Sequence, residues 1–264
     1  PPTRLVAAGG EKSIDEGQMI TLGYGTLPDQ VGDLYPPADA DAPLVRLLHG
    51  GFWRMPYGRD QLDPLAQALH HRGHAVWNIG YRRVGEGGTP WPATLDDVRA
   101  ALAFLPTLAR QHPPLSLRRT FVLGHSAGGH LAFWAATQAR QLGWPTALAG
   151  VIGLAPILDL EDGFRRDLGT GAVGLFVEGD PAAVPDRYAA ASPRAHLPLG
   201  VPQWILHGSQ DTAVPPVMSR DYAEAARAKG DQVYYKELAD VGHMELIEPG
   251  SPAFPLLQQY LSAT

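Results

Sequence analysis

Short apolar runs alternate with helix-like segments from about residue 43 to the C-terminus, and that alternation limits the architecture more than any other feature. The runs "PLVRLLHGG", "HAVWNIGYR", "RTFVLGH", "LAGVIGLAP", "PQWILHG" and "QVYYKEL" have the length and buried character of strands. Between and after them lie "PLAQALHHRG", closed by Gly73, then "PATLDDVRAALAFLPTLARQH", "AGGHLAFWAATQARQL", "SRDYAEAARAKG" and "FPLLQQYLSA". In the second of these, Leu95, Val98, Leu102 and Leu105 recur at helical spacing, and Asp96 and Asp97 sit where the helix dipole favours them, which predicts one helix over 92–112. A strand joined to the next through a helix pairs in parallel with it. The pattern therefore predicts an α/β fold with a mostly parallel central sheet and helices on both faces. Two strand-like runs, "MITLGYG" and "QVGDLYPP", precede it.

The rhythm breaks at about 160–198, a turn-rich stretch with short helical pieces. It holds too little apolar surface to be a domain. It reads as a small cap-like insertion over the carboxyl edge of the sheet, where open α/β sheets bind ligands. The expectation is one domain over 1–264, and 264 residues with 45% hydrophobic content suffice for its core.

Composition removes several functions. With no cysteine there is no disulfide framework, thiolate zinc site or cysteine nucleophile. A net charge of -6 without long charge runs is not the footprint of a nucleic-acid binder. No apolar run reaches membrane-spanning length. The first residues, "PPTRLVAAGGEKS", lack a signal-peptide core, so a cytoplasmic location is the default; the missing initiator Met points to upstream trimming.

Chemistry concentrates at the junction "VLGHSAGGHLAF". Gly124-His125-Ser126-Ala127-Gly128 stands between a predicted strand and a predicted helix, the context of a nucleophile elbow. A serine on a strained corner brings chain segments together, so the positions two before and two after it must be small. The hydroxyl needs a base, and the base an orienting acid. Asp211 follows the strand "PQWILHG" and His243 follows the last strand, in the order Ser, Asp, His. Asp159 and Asp240 are rival acids. Oxyanion donors are expected from the N–H of Ala127 and from Gly51 and Phe52 after "RLLHGG", each worth about 3 kcal/mol in the transition state. Phe52, Trp53, His125 and His130 are candidates for lining the substrate pocket, and Trp91, Trp134 and Trp144 for an aromatic wall or for core packing. His70, His71 and His74 make a weak metal candidate, and no metal site is assigned.

With these motifs in place, the chain resembles the α/β-hydrolase superfamily, in its esterase branch with an HGG oxyanion loop. The likeness is to kynurenine formamidases (arylformamidases) and related bacterial carboxylesterases. It rests on His49-Gly50-Gly51-Phe52-Trp53, on the elbow Gly124 to Gly128 followed by His130-Leu131, and on "DLYPP" and "YRR". Phe52 stands where the formamidase motif often carries Tyr, a departure that removes a hydroxyl. The resemblance implies a triad of Ser126, Asp211 and His243 with no cofactor, and a small-molecule ester or amide substrate. It implies no nucleic-acid or membrane partner, and at most a second copy of the chain in a homodimer. A peptidase of the prolyl-oligopeptidase type would add a propeller that this chain lacks, and a lipase would want a longer apolar lid. A catalytically silent binding protein on the same scaffold would normally have lost a triad member.

Overall fold

A computed structural model describes residues 19–85, 90–142 and 148–262, so Trp144 lies outside the described residues. The chain starts with β1 (Ile20–Gly23), β2 (Val31–Tyr35) and β3 (Leu44–Leu48). Then come α1 (Asp63–His71), β4 (Ala75–Ile79), α2 (Pro90–Ala103), α3 (Leu105–Gln111) and β5 (Thr120–His125). After α4 (Ala127–Leu142) and β6 (Leu148–Leu154), three short helices occupy the insertion: α5 (Leu160–Arg165), α6 (Ala172–Val177) and α7 (Pro185–Ala191). The fold closes with β7 (Gln203–Gly208), α8 (Pro216–Ala228), β8 (Val233–Leu238) and α9 (Ala253–Ser262).

The strands form one sheet in the order β1-β2-β4-β3-β5-β6-β7-β8. The first two pairings, β1 with β2 and β2 with β4, are antiparallel, and all others are parallel. This is the mostly parallel sheet with helices on both faces that the alternation predicts, an α/β-hydrolase arrangement. β3 lies between β4 and β5, so the connection leaving β3 runs to one side and the connection from β4 to β5 crosses back to the other. A crevice opens at the carboxyl ends of β3 and β5 for that reason, where Leu48 is paired with Gly124.

Successive strand side chains enter opposite layers. Val45 and Leu47 of β3 join the layer under α1 and α9, with Leu65, Leu69, Leu257 and Leu261. Leu44 and Leu48 join the layer under α2, α4 and α8, with Val98, Leu131 and Tyr222. Arg46 shares the second direction and is buried; it donates to the Phe121 carbonyl (3.1 Å) and Thr120 Oγ1 (3.0 Å), and burial lowers its pKa to about 9. Among the described residues, no helix is long and apolar enough to cross a membrane.

The single helix expected over 92–112 is instead two, α2 and α3, broken at Phe104. Pro106 has no N–H for the Leu102 carbonyl and its ring crowds that turn, so the hydrophobic periodicity runs on while the helical hydrogen bonding is interrupted. Trp91 and Pro92 are non-helical, and regular helix begins after them. α8 starts at Pro216, before the expected Ser219, because proline suits the first helical turn.

The insertion is bound to the core by its few apolar residues. Phe176 of α6 is fully buried, stacked on Trp53 at 4.6 Å and edge-on to His130 at 5.4 Å. Leu160, Leu168, Val173 and Tyr188 enter the same layer. Phe176→Ala should therefore cost about 3–5 kcal/mol, seen as a lower urea midpoint with an unchanged m-value. A wild-type midpoint would show that the insertion is not held through this ring.

Candidate active site

Ser126 follows β5 directly and adopts φ +56°, a left-handed conformation that costs a non-glycine residue energy. The surroundings hold it there. Its N–H donates to the Leu154 carbonyl at 2.8 Å, and its carbonyl accepts from the His130 N–H at 3.1 Å. A Cβ on Gly124 would lie 2.0 Å from the Gly128 carbonyl oxygen, and one on Gly128 would lie 2.0 Å from the Leu48 carbonyl oxygen. Only glycine fits at either place. The N-terminus of α4, with its unpaired amides and positive dipole end, begins at the next residue.

Asp211 and His243 follow β7 and β8, so both sit at the carboxyl edge of the sheet with Ser126. His243 Nδ1 donates to Asp211 Oδ2 at 2.6 Å. Asp211 Oδ1 accepts from the N–H groups of Ala213 (2.9 Å) and Val214 (2.8 Å). Burial pushes the Asp211 carboxyl up, but the donors His207, His243 and Val214 and the charge of His243 outweigh it and hold the group well below the usual carboxylate range. The rival acids have other partners. Asp159 caps α5 through the Asp162 N–H at 3.1 Å, and Asp240 accepts from Gln210 at 3.1 Å.

The loop after β3 turns back over the serine. A Cβ on Gly50 would come within 3.2 Å of Ser126 Cβ. Gly51, Phe52 and Trp53 all have positive φ. Among the described residues, no acceptor takes the N–H of Gly51, Phe52 or Ala127. Phe52 is half-buried, with Arg54 over its ring and Gly169 of the insertion packed against it.

The structure sets the other three pocket candidates deeper. Trp53 is fully buried and donates through Nε1 to His130 Nδ1 at 3.1 Å, while His130 Nε2 donates to the Ala191 carbonyl at 2.9 Å. His125 donates through Nε2 to the His243 carbonyl at 3.0 Å, and the two rings lie 4.5 Å apart. These residues meet the site through what they hold. Trp134 donates to the Ala190 carbonyl at 3.1 Å, and Trp91 packs edge-on to Phe176, so both also serve the insertion. Among the described residues, no group of three metal-ligating side chains, the histidines near residue 70 included, could hold a metal ion. Behind the loop, a polar cavity of about 440 Å³ is lined by His49, Tyr81, Asp33, Asp63, Arg59 and Arg83; Ser126 is not part of it.

Sequence reading missed one participant, His207. Its Nε2 lies 3.3 Å from Asp211 Oδ2. The available signal was a histidine inside the apolar run "PQWILHG", four residues before the acid.

The family described as BD-FAE matches residues 33–225. "Esterase LipQ" of Mycobacterium tuberculosis is 29% identical over 215 residues, covering 76% of this chain and 50% of that protein. A kynurenine formamidase of Danio rerio is 24% identical over 238 residues, covering 87% of this chain and 76% of that one. The chain spans about half the length of the mycobacterial esterases that it matches. Among solved structures, a truncated carbohydrate esterase from gut microbiota superposes with a TM-score of 0.77 at 18% identity, covering 97% of this chain and 99% of that one.

Three histidines around the site are held neutral by burial. Their pKa values fall from 6.5 to about 3 for His49, about 3 for His125 and about 4 for His130. Below pH 6.5 the unfolded chain takes up protons that the folded chain refuses, so stability falls on acidification until the folded values are reached. Asp211, depressed in the folded state, adds a loss of the same sign at lower pH. Each histidine contributes a slope of up to about 1.4 kcal/mol per pH unit in this window. Urea midpoints should therefore drop steadily from about pH 7 to 4.5, and less steeply in His130→Gln. A flat profile would contradict the neutral, buried assignment.

Proposed function

The chain belongs to the BD-FAE family, and on that premise we propose that it is a serine hydrolase cleaving small acyl esters or N-formyl anilides through Ser126, His243 and Asp211. The observation that carries the reading is the 2.6 Å contact between His243 Nδ1 and Asp211 Oδ2, made on loops at the same sheet edge as a serine with positive φ.

In this reaction Ser126 Oγ attacks the acyl carbonyl while His243 Nε2 accepts its proton. Asp211 keeps the other imidazole proton on Nδ1 and stabilises the imidazolium that forms. The amides of Ala127, Gly51 and Phe52 donate to the oxyanion, assisted by the α4 dipole. His243 then protonates the departing alcohol or amine. Water, activated by the same histidine, releases the acyl group from Ser126.

Phe52 borders the substrate, and Trp53, His125 and His130 position the two loops that form the walls. The names of the relatives, an esterase and a kynurenine formamidase, support the two substrate classes. An aromatic side chain on the oxyanion loop favours an aryl leaving group with a short acyl chain.

The test is the rate on p-nitrophenyl esters from acetate to octanoate and on N-formylkynurenine, with wild type and Ser126→Ala side by side. Wild type should turn over short acyl chains, and the variant should lose at least about a thousandfold in kcat. Preference for the formamide marks an arylformamidase and preference for the short esters a carboxylesterase. Equal rates in the two proteins would remove the serine mechanism.

A further inference from the structure

Asp211 is held by more than the histidine it orients. While Oδ1 takes the two amides of its own turn, Oδ2 faces two imidazoles, His243 at 2.6 Å and His207 at 3.3 Å. His207 lies near the end of β7 and has no solvent exposure. Both of its ring nitrogens have partners. Nε2 donates to the Val214 carbonyl at 2.8 Å, with Asp211 as the longer electrostatic arm, and Nδ1 lies 2.8 Å from Ser219 Oγ. A carbonyl only accepts, so the ring proton sits on Nε2 and the Ser219 hydroxyl donates to Nδ1. Ser219 belongs to α8 and is itself fully buried.

One ring thus ties together the end of β7, the 211–214 turn and α8. A histidine that only filled space would not need a buried hydroxyl fixing its tautomer. This tautomer is the one that turns an N–H toward the acid and its turn, and the other would aim a lone pair at both the carboxylate and the Val214 carbonyl.

We propose that His207, anchored by Ser219, is a positioning residue for the acid–base pair: it holds the 211–214 turn and the Asp211 carboxylate in the orientation that presents Oδ2 to His243. The inference rests on the reading of Ser126, His243 and Asp211 given above. His207 touches no reacting atom; it acts through Asp211. The titratable groups facing His243 are Asp211 and, from the β5 end, the ring of His125.

His207→Gln and Ser219→Ala test this with p-nitrophenyl acetate, with Ser126→Ala run in parallel. A displaced Asp211 should lower kcat on the order of tenfold to hundredfold with KM little changed. It should also change the acid limb of the kcat profile, because the contact between Asp211 and His243 is altered. A third readout needs no turnover: the far-downfield proton resonance expected for the short Nδ1–H bond of His243 should shift or vanish in both variants. Ser219→Ala removes one hydroxyl and carries the test if His207→Gln is insoluble.

Wild-type kcat, acid limb and resonance in the variants would overturn the proposal. So would a uniform loss of kcat at every pH with the resonance unmoved, since that marks general destabilisation. Undiminished hydrolysis by Ser126→Ala would sink the serine mechanism instead, and the resonance would still decide whether His207 positions Asp211.

Discussion

The backbone contact between β3, β5 and α4 is the constraint on which the rest of this structure depends. Gly128, in the first turn of α4, approaches the Leu48 carbonyl so closely that a methyl group would lie 2.0 Å from its oxygen. That closeness exists because α4 starts one residue after β5, which leaves Ser126 alone to turn the chain. It does so at φ +56°, anchored by hydrogen bonds to Leu154 and His130. The same contact brings the loop after β3 against the serine, so Ser126, the α4 terminus and that loop converge through backbone packing. Side-chain chemistry is then added from the neighbouring strand ends.

A second layer of order lies beneath the loops. The loop after β3 is joined to the 160–198 segment by Trp53 stacked on Phe176, by the relay from Trp53 through His130 to Ala191, and by Arg54 donating to the Gly169 carbonyl at 2.9 Å. The loop before α6 takes positive φ at Asp167, Gly169, Thr170 and Gly171, and the ring of Phe52 fills the space that a side chain at 169 would need. The loop after β3 and the 160–198 segment are therefore one packed unit. Neutral, buried histidines suit that role, since each supplies one donor and one acceptor without the cost of burying a charge.

The strand and helix order was legible because fully buried parallel strands leave continuous apolar runs and because glycine and proline punctuate them. The serine corner was legible for the same steric reason that the structure displays at Gly124 and Gly128. The break at Phe104 is not legible, since hydrophobic periodicity runs on through Pro106. Depth was harder to read. His125 and His130 are near the serine in sequence, yet their hydrogen-bond partners His243 and Ala191 lie 118 and 61 residues away, and Trp53 bonds to His130 across 77 residues. Arg46 in "LVRLL" and His207 in "WILHG" look like ordinary members of apolar strands. Their partners Thr120 and Ser219 are set by tertiary structure, and no local pattern announces them.

On the proposed function, Ser126 is a nucleophile activated by its setting. The most direct measurement is stoichiometric reaction with a small aryl phosphonate, followed by intact mass and peptide mapping, in wild type and His243→Ala. The account predicts one adduct per chain, located on Ser126, forming much more slowly without His243. An adduct on another residue, or labelling of Ser126 at the same rate without His243, would contradict it.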